Sequence, residues 1–426
     1  MWSTLKHASN LTKSRFVRQI YSISNDPTRR LFKVEFNDGS DGLFPYVWLR
    51  DSSLDPSTYS ISDSMKARRL FMRDFDVRVV PERFSYDKEA NSLRITWPGS
   101  VQSDYSASWL KYRNPSCSTV ALTRREYYLQ HPIPWNRAAI ERRLKRFDHN
   151  AVMTDDKALH DFLTAVCIDG IAVLKNGPHH DKNVVDAIGD RIGLIHRTHF
   201  GTVFEVTTKV DASNMAYASG DELPYHTDFP SLSQPPELQM LHMYQRAAEG
   251  GLSMFVDGFK IADIMRKNHP EAFKILTETQ LEYIEEGYDI HERNGADYKF
   301  TFDMAARHRV IKLDEKTKKV IKIQFGNAMR AWFYDTVPLK IQDVYDALKL
   351  FTELCYAPEN QLIFQLENGE TMLWSNTRLL HARSAYTVTP DCNRSIFGCY
   401  FMWDIVKSRI RVIREDLSLP ENQPAL

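Results

Sequence analysis

Beyond Phe200 the chain keeps returning to short apolar, β-like runs: TVFEVTTKV, LQMLHMY, LSMFVDG, HRVIKLD, KVIKIQF, LIFQLENGETMLW and SIFGCYFMW. Two helical stretches interrupt them, Gly258 to Lys267 with a continuation through Leu276, and Pro338 to Leu354. Many short strands with so few helices between them must curl or stack to bury their apolar faces. The pattern predicts a curled β-sandwich or barrel and argues against a doubly wound α/β sheet.

The chain ahead of these strands supplies cover for such a core. Trp135 to Arg146 and Asp155 to Asp169 read as helices, the second with Leu159, Phe162, Leu163, Val166 and Cys167 spaced for one face. IAVLKNG reads as a strand and turn, and KNVVDAIGDRIG as a helix stopped by glycine. From Leu31 to Trp97, LFKVEF, LFPYVWL, DVRVV and SLRITW alternate with turn-rich pieces such as NDGSDG. That predicts a small β-rich domain over 26–115, ahead of a larger one over 130–415.

Composition limits the function classes. Fifty-five basic residues balance fifty-five acidic ones, so no global positive field exists for nucleic acid, and no nucleic-acid partner is expected. No apolar run reaches the roughly 18 residues of a spanning helix, and no membrane partner is expected. The five cysteines, at 117, 167, 355, 392 and 399, form no CxxC pair, which speaks against a disulfide framework or a structural zinc site. Residues 1–25 carry Lys6, Lys13, Arg15 and Arg18 with no acidic residue before Asp26 and no unbroken apolar core. This is the composition of a mitochondrial import segment cut before the Asn25-Asp26-Pro27 region, with an ordinary basic arm on a cytoplasmic protein as the alternative.

The sharpest local feature is Tyr225-His226-Thr227-Asp228. On extended backbone, residues two apart share a face, so the His226 imidazole and the Asp228 carboxylate can reach one ion. His381, at the end of NTRLLHA, offers the second imidazole. Two nitrogens and one carboxylate form the facial set of non-haem iron(II), which leaves positions open for a cosubstrate and oxygen. Arg394, at the head of RSIFG, offers a rigid fork for a carboxylate near the metal, which points to a dicarboxylate cosubstrate. Taken singly, HxD pairs also arise by chance, Arg394 suits a surface ion pair, and His196, His199 and His242 read as packing or hydrogen-bonding groups.

In order and spacing, VWLRD (47–51), KARRL (66–70), ITWP (95–98), FGT (200–202), SNMAY (213–217), HTDFPSLSQPPELQMLH (226–242), GGLSMFVDGF (250–259), RLLHARSAY (378–386) and GCYFMWDIVKSRIRVIRE (398–415) resemble the γ-butyrobetaine and trimethyllysine dioxygenases of carnitine synthesis. The likeness spans about residues 30 to 415 and leans to the γ-butyrobetaine branch. The resemblance implies a double-stranded β-helix, a jelly-roll relative, over 130–415. It implies iron(II) on His226, Asp228 and His381, and 2-oxoglutarate held by Arg394 with help from Ser253. Ascorbate would keep the iron reduced, and the assembly would be a homodimer. A quaternary ammonium would sit against Phe200, Phe204, Tyr217 and Tyr400, with Asn214 and Asn327 near its carboxylate. Hydroxylation of γ-butyrobetaine at carbon 3 to carnitine, with succinate and carbon dioxide released, is the implied reaction. Trimethyllysine or another quaternary-ammonium carboxylate is the alternative substrate.

Several positions depart from the family pattern. Phenylalanines at 200 and 204 replace a tyrosine and a tryptophan, which keeps aromatic faces but changes the cage. Ser53, Asp55, Thr58 and Val101 stand where the family places three cysteines and a histidine around zinc, so no structural zinc is expected. Packing by Phe44, Val47, Trp48 and Trp97 must stabilise that domain instead.

Overall fold

The computed structural model describes residues 19–62, 64–117, 131–207, 219–293, 296–387 and 393–417. They fall into two compact units, one on each side of residue 127.

The smaller unit holds two three-stranded antiparallel sheets. Ile20–Asp26, Leu31–Phe36 and Asp41–Pro45 form one, and Arg83–Asp87, Ser92–Trp97 and Val101–Ser106 the other. Alternation drives Phe32, Val34 and Phe36 inward from one strand, and Leu93, Ile95 and Trp97 from another, into a single core. The first strand overlaps the stretch read as an import segment. Ile20 is buried in this core and Asp26 pairs with Leu31, so a cut at residue 25 would remove a strand of the sheet, whereas a cut ahead of Ile20 would spare it.

Two local expectations fail in this unit. After Pro45, YVWLRD forms a short helix rather than continuing the strand, burying Tyr46 and Leu49 while Val47 stays half-buried. DVRVV forms turns, with only Val79 in the core. Phe44 and Trp97 are core residues and Trp48 packs against them. Where zinc ligands would stand, the Trp97 indole donates to the Ser103 hydroxyl at 2.8 Å, which donates to Ser53 at 2.7 Å. Asp55 accepts from the Gln102 amide at 3.0 Å, and Val101 joins the core.

The larger unit is a two-sheet sandwich. A six-stranded sheet runs in the order Phe204–Thr207, Ser395–Phe401, Leu238–Gln245, Thr371–Ser375, Ile171–Lys175, Arg146–Asp148. A four-stranded sheet runs Leu223–His226, Leu379–Arg383, Ser253–Asp257, Gln361–Phe364. This is the mainly β jelly-roll with flanking helices that the sequence implies.

Both faces of the central strands are apolar because both are covered. Ile171, Val173, Met372, Trp374 and Ile396 of the larger sheet meet Phe255, Leu362 and Leu379 of the smaller one. Their neighbours Ala172, Leu174, Leu373, Cys399 and Phe401 turn outward against helices Asp156–Asp169, Val184–Ile192 and Trp403–Asp416. On the far side, Met254, Val256, Leu380 and Ala382 pack against Gly258–Asn268, Pro270–Glu278 and Ile341–Tyr356. Each fully buried Leu, Ile or Phe contributes roughly 1.5–3 kcal/mol.

Helix ends follow local chemistry. The Asp155 carboxylate accepts from the amides of Lys157 and Ala158 and starts Asp156–Asp169, and left-handed Gly170 ends it. Its five predicted face residues are all buried. The helix expected to run from Gly258 through Leu276 breaks at His269, because Pro270 cannot donate an amide and opens a new helix.

A long hairpin, Leu281–Arg293 with Ala296–His308, has no counterpart among the strands expected from the sequence and is joined at one edge by Arg330–Tyr334. It forms its own sheet.

Candidate metal centre

His226 ends a strand of the smaller sheet and His381 lies in its antiparallel neighbour as its register partner. The two rings therefore face each other, 4.1 Å apart at their centroids. Asp228 follows His226 in a turn held from both sides. The Asn376 side chain accepts from the Asp228 amide at 2.7 Å and donates to the Asp228 carbonyl at 3.1 Å and the Pro236 carbonyl at 2.9 Å. The Thr227 amide donates to the Phe325 carbonyl at 2.7 Å, and the Phe325 amide returns to the Thr227 hydroxyl at 3.1 Å. Phe229 then takes a left-handed backbone, φ 56°, a conformation that a bulky residue keeps only when its surroundings enforce it.

The donor atoms converge. Asp228 Oδ1 lies 3.2 Å from His226 Nε2 and 3.6 Å from His381 Nε2. The three residues form the only such cluster among the described residues. His226 Nδ1 lies 2.8 Å from the Pro224 carbonyl; donating its proton to that oxygen leaves Nε2 as the ligating lone pair. Asp228 is buried and its Oδ1 has no hydrogen-bond donor, an arrangement that suits a cation.

Burial works to raise the Asp228 pKa, but His381, His226 and the Tyr400 hydroxyl together pull it down to about 2. Burial, reinforced by the neighbouring His226, pushes His381 down to about 3. At neutral pH the set is therefore one carboxylate with His381 in its neutral, coordinating form. Two imidazoles and one carboxylate with open positions fit non-haem iron(II).

Asp228 and His381 of the triad line a cavity of about 520 Å³ between the sheets, together with Arg394, Ser253, Phe200, Phe204 and Tyr400. Arg394 is buried, and burial followed by the charge of Arg383 lowers it to about 10. It stays cationic at neutral pH, and its Nε has no hydrogen-bond partner. Left-handed Gly251, with φ 67°, lies beside that guanidinium. A buried planar cation of this kind suits one carboxylate of a dicarboxylate.

Phe204 stacks on Tyr400 with centroids 5.2 Å apart, and Phe229 meets Tyr400 edge-on at 5.2 Å. Phe229 also lies 5.8 Å from Phe200. Phe229 thus joins the aromatic wall, although the sequence quotes it only as part of the HTDFP block. Tyr217 and Asn214 fall outside the described residues. Asn327 does not reach the cavity: it is exposed, and its side-chain oxygen accepts twice from Arg330 at 3.1 Å. The long hairpin instead brings Tyr288, Asp289, Ile290 and His291 to the cavity wall.

His196, His199 and His242 each have a partner outside the cluster. His242 is buried against the Thr371 hydroxyl at 2.8 Å, His199 pairs with Glu285 at 3.4 Å, and the His196 amide donates to the Tyr400 carbonyl.

The family described as taurine catabolism dioxygenase TauD, TfdA matches residues 129–400. The chain belongs to this family. Among curated relatives, the γ-butyrobetaine dioxygenase of Pongo abelii is 33% identical over 91% of this chain and 95% of its own. That of Pseudomonas sp. (strain AK-1) is 31% identical over 89% and 93%. The human mitochondrial trimethyllysine dioxygenase is 26% identical over 87% and 82%. As a TauD, TfdA family member the chain is an iron- and 2-oxoglutarate-dependent dioxygenase, and the convergent triad sits within the matched residues.

Arg394→Met keeps the side chain's reach and removes its fork. The variant should raise the 2-oxoglutarate KM by about 10²-fold, since charged hydrogen bonds contribute about 1.5–3 kcal/mol each. Initial rates against 2-oxoglutarate measure it, and an unchanged KM would remove Arg394 from cosubstrate binding.

Proposed function

We propose that this chain hydroxylates γ-butyrobetaine at carbon 3, consuming 2-oxoglutarate and dioxygen and giving carnitine, succinate and carbon dioxide. The observation that carries the reading is one cavity that joins the His226, Asp228 and His381 cluster to an aromatic wall of Phe200, Phe204, Phe229 and Tyr400. Aromatic faces attract a quaternary ammonium, which cannot donate a hydrogen bond. Relatives named γ-butyrobetaine dioxygenase over about nine-tenths of the chain support the same substrate.

Iron(II) with 2-oxoglutarate and dioxygen supplies the oxidising power for the C–H bond. His226, Asp228 and His381 would hold the metal. Arg394, with Ser253 in the same cavity lining, would orient the far carboxylate of 2-oxoglutarate. The phenyl faces of 200, 204 and 229 exclude water and fix the cation, so the target carbon is presented in one pose.

Trimethyllysine is the second reading, favoured by Asp289 in the cavity wall, whose carboxylate would pair with an α-ammonium that γ-butyrobetaine lacks. Mass spectrometry after incubation with iron(II), 2-oxoglutarate, ascorbate and each amine separates them. Carnitine supports the first reading; hydroxytrimethyllysine alone supports the second.

Ascorbate as reductant, a homodimer and a matrix location complete the proposal. The basic, acid-free N-terminal residues and the mitochondrial relatives support the address. Fractionation of a C-terminally tagged chain and light scattering of the purified protein test these; a cytosolic monomer would contradict both address and assembly.

A further inference from the structure

The two oxygens of Asp228 have different surroundings. Oδ1 faces both imidazoles and has no hydrogen-bond donor, whereas Oδ2 accepts from the Tyr400 hydroxyl at 2.6 Å. An ionised carboxylate only accepts, so Tyr400 must be the donor in this bond. Its oxygen in turn lies 3.4 Å from the side-chain nitrogen of Gln239.

That order settles which way the Gln239 amide points. With the Tyr400 proton committed to Asp228, only the NH₂ end of Gln239 can face the hydroxyl. Gln239 and Tyr400 are cross-strand partners in the larger sheet, so backbone register holds them together. Gln239 is 4% exposed and its side-chain oxygen has no partner. A residue present for packing alone would avoid leaving that acceptor unsatisfied.

We propose that Gln239 and Tyr400 form a positioning relay that pins Oδ2 of Asp228 and leaves Oδ1 alone to bind the metal. A carboxylate free to turn could chelate through both oxygens and take a coordination position that the cosubstrate or dioxygen needs. Tyr400 would then act twice, its ring as cage wall and its hydroxyl as the anchor of a ligand. Gln239 acts only through Tyr400 and is a positioning residue.

The test uses the full chain and Mn(II) alone, followed by the electron paramagnetic resonance of the unbound ion, with no amine or 2-oxoglutarate present. Tyr400→Phe keeps the ring and should weaken Mn(II) binding by about 10- to 100-fold, as loss of a ligand's hydrogen-bond partner does. Gln239→Met should weaken it less, and the double variant should bind no more weakly than Tyr400→Phe, because the outer residue has no separate route to the metal. In the Co(II)-loaded protein, Tyr400→Phe should also change the visible absorption bands that report coordination number. Ile290→Ala, on the exposed hairpin side of the same cavity and away from the relay, should leave Mn(II) binding near the starting value.

Wild-type Mn(II) affinity in Tyr400→Phe, strict additivity of the two substitutions, or an equal loss in Ile290→Ala would each overturn the relay. Near-ultraviolet circular dichroism of each variant removes misfolded protein from the comparison. Since no substrate is added, failure here is separable from failure of the hydroxylation reading.

Discussion

Asp228→Ala should abolish substrate-dependent succinate release, lowering kcat/KM by at least about 10³-fold, because the cluster loses its only carboxylate and with it the metal. Equilibrium dialysis should show iron(II) retained by the starting protein and lost from the variant. The fold should persist, since Asn376 and Phe325 clamp the backbone of residues 227 and 228 rather than the carboxylate. A variant that kept a tenth of the activity would move the metal elsewhere.

Arg378→Ala should produce the largest loss of stability. Arg378 is 3% exposed and forks onto Asp257, which is fully buried, at 2.8 and 3.2 Å. It also donates to the carbonyls of Ile168 at 2.8 Å and Ile133 at 2.9 Å. Asp257 meanwhile accepts from the amides of Trp135 and Phe259, joining three separate stretches of chain. Removing the guanidinium leaves a buried carboxylate without its counter-charge, which costs about 3–5 kcal/mol. The thermal midpoint should fall by about 10 °C. Arg378→Lys should fall between the two, because an ammonium restores charge but not the planar fork. A midpoint within about 2 °C of the starting protein in scanning calorimetry would refute this account.

What was legible in the sequence follows from what leaves a periodic or spaced mark. LQMLHMY, LSMFVDG and SIFGCYFMW stand out because strands covered on both faces are nearly continuous in apolar residues. HxD with a distal histidine is a spacing, and the three side chains do converge. Asn376, which clamps the turn, and Gln239, which meets Tyr400, leave no such mark: an amide inside an apolar run looks like an interruption until the fold supplies its partner. Phe229 hides its place in the wall because a left-handed backbone redirects it out of strand alternation. The hairpin strand Ala296–His308 is exposed or half-buried throughout, so it lacks the hydrophobic contrast that announces a core strand. Asn327 shows the converse error, since position along a motif did not capture the pull of Arg330 on its side chain.

The hairpin's independence carries a consequence for how such an enzyme can diversify. Its strands share no ladder with the sheets that carry the triad, Arg394 and Tyr400, yet its residues 288–291 reach the same cavity. The cavity wall is therefore composite, with Phe204 and Tyr400 on the sheet that carries Arg394 and residues 288–291 on the ribbon. Exchange of that ribbon alone would reshape one wall of the cavity while the sheets behind the triad keep their ladders.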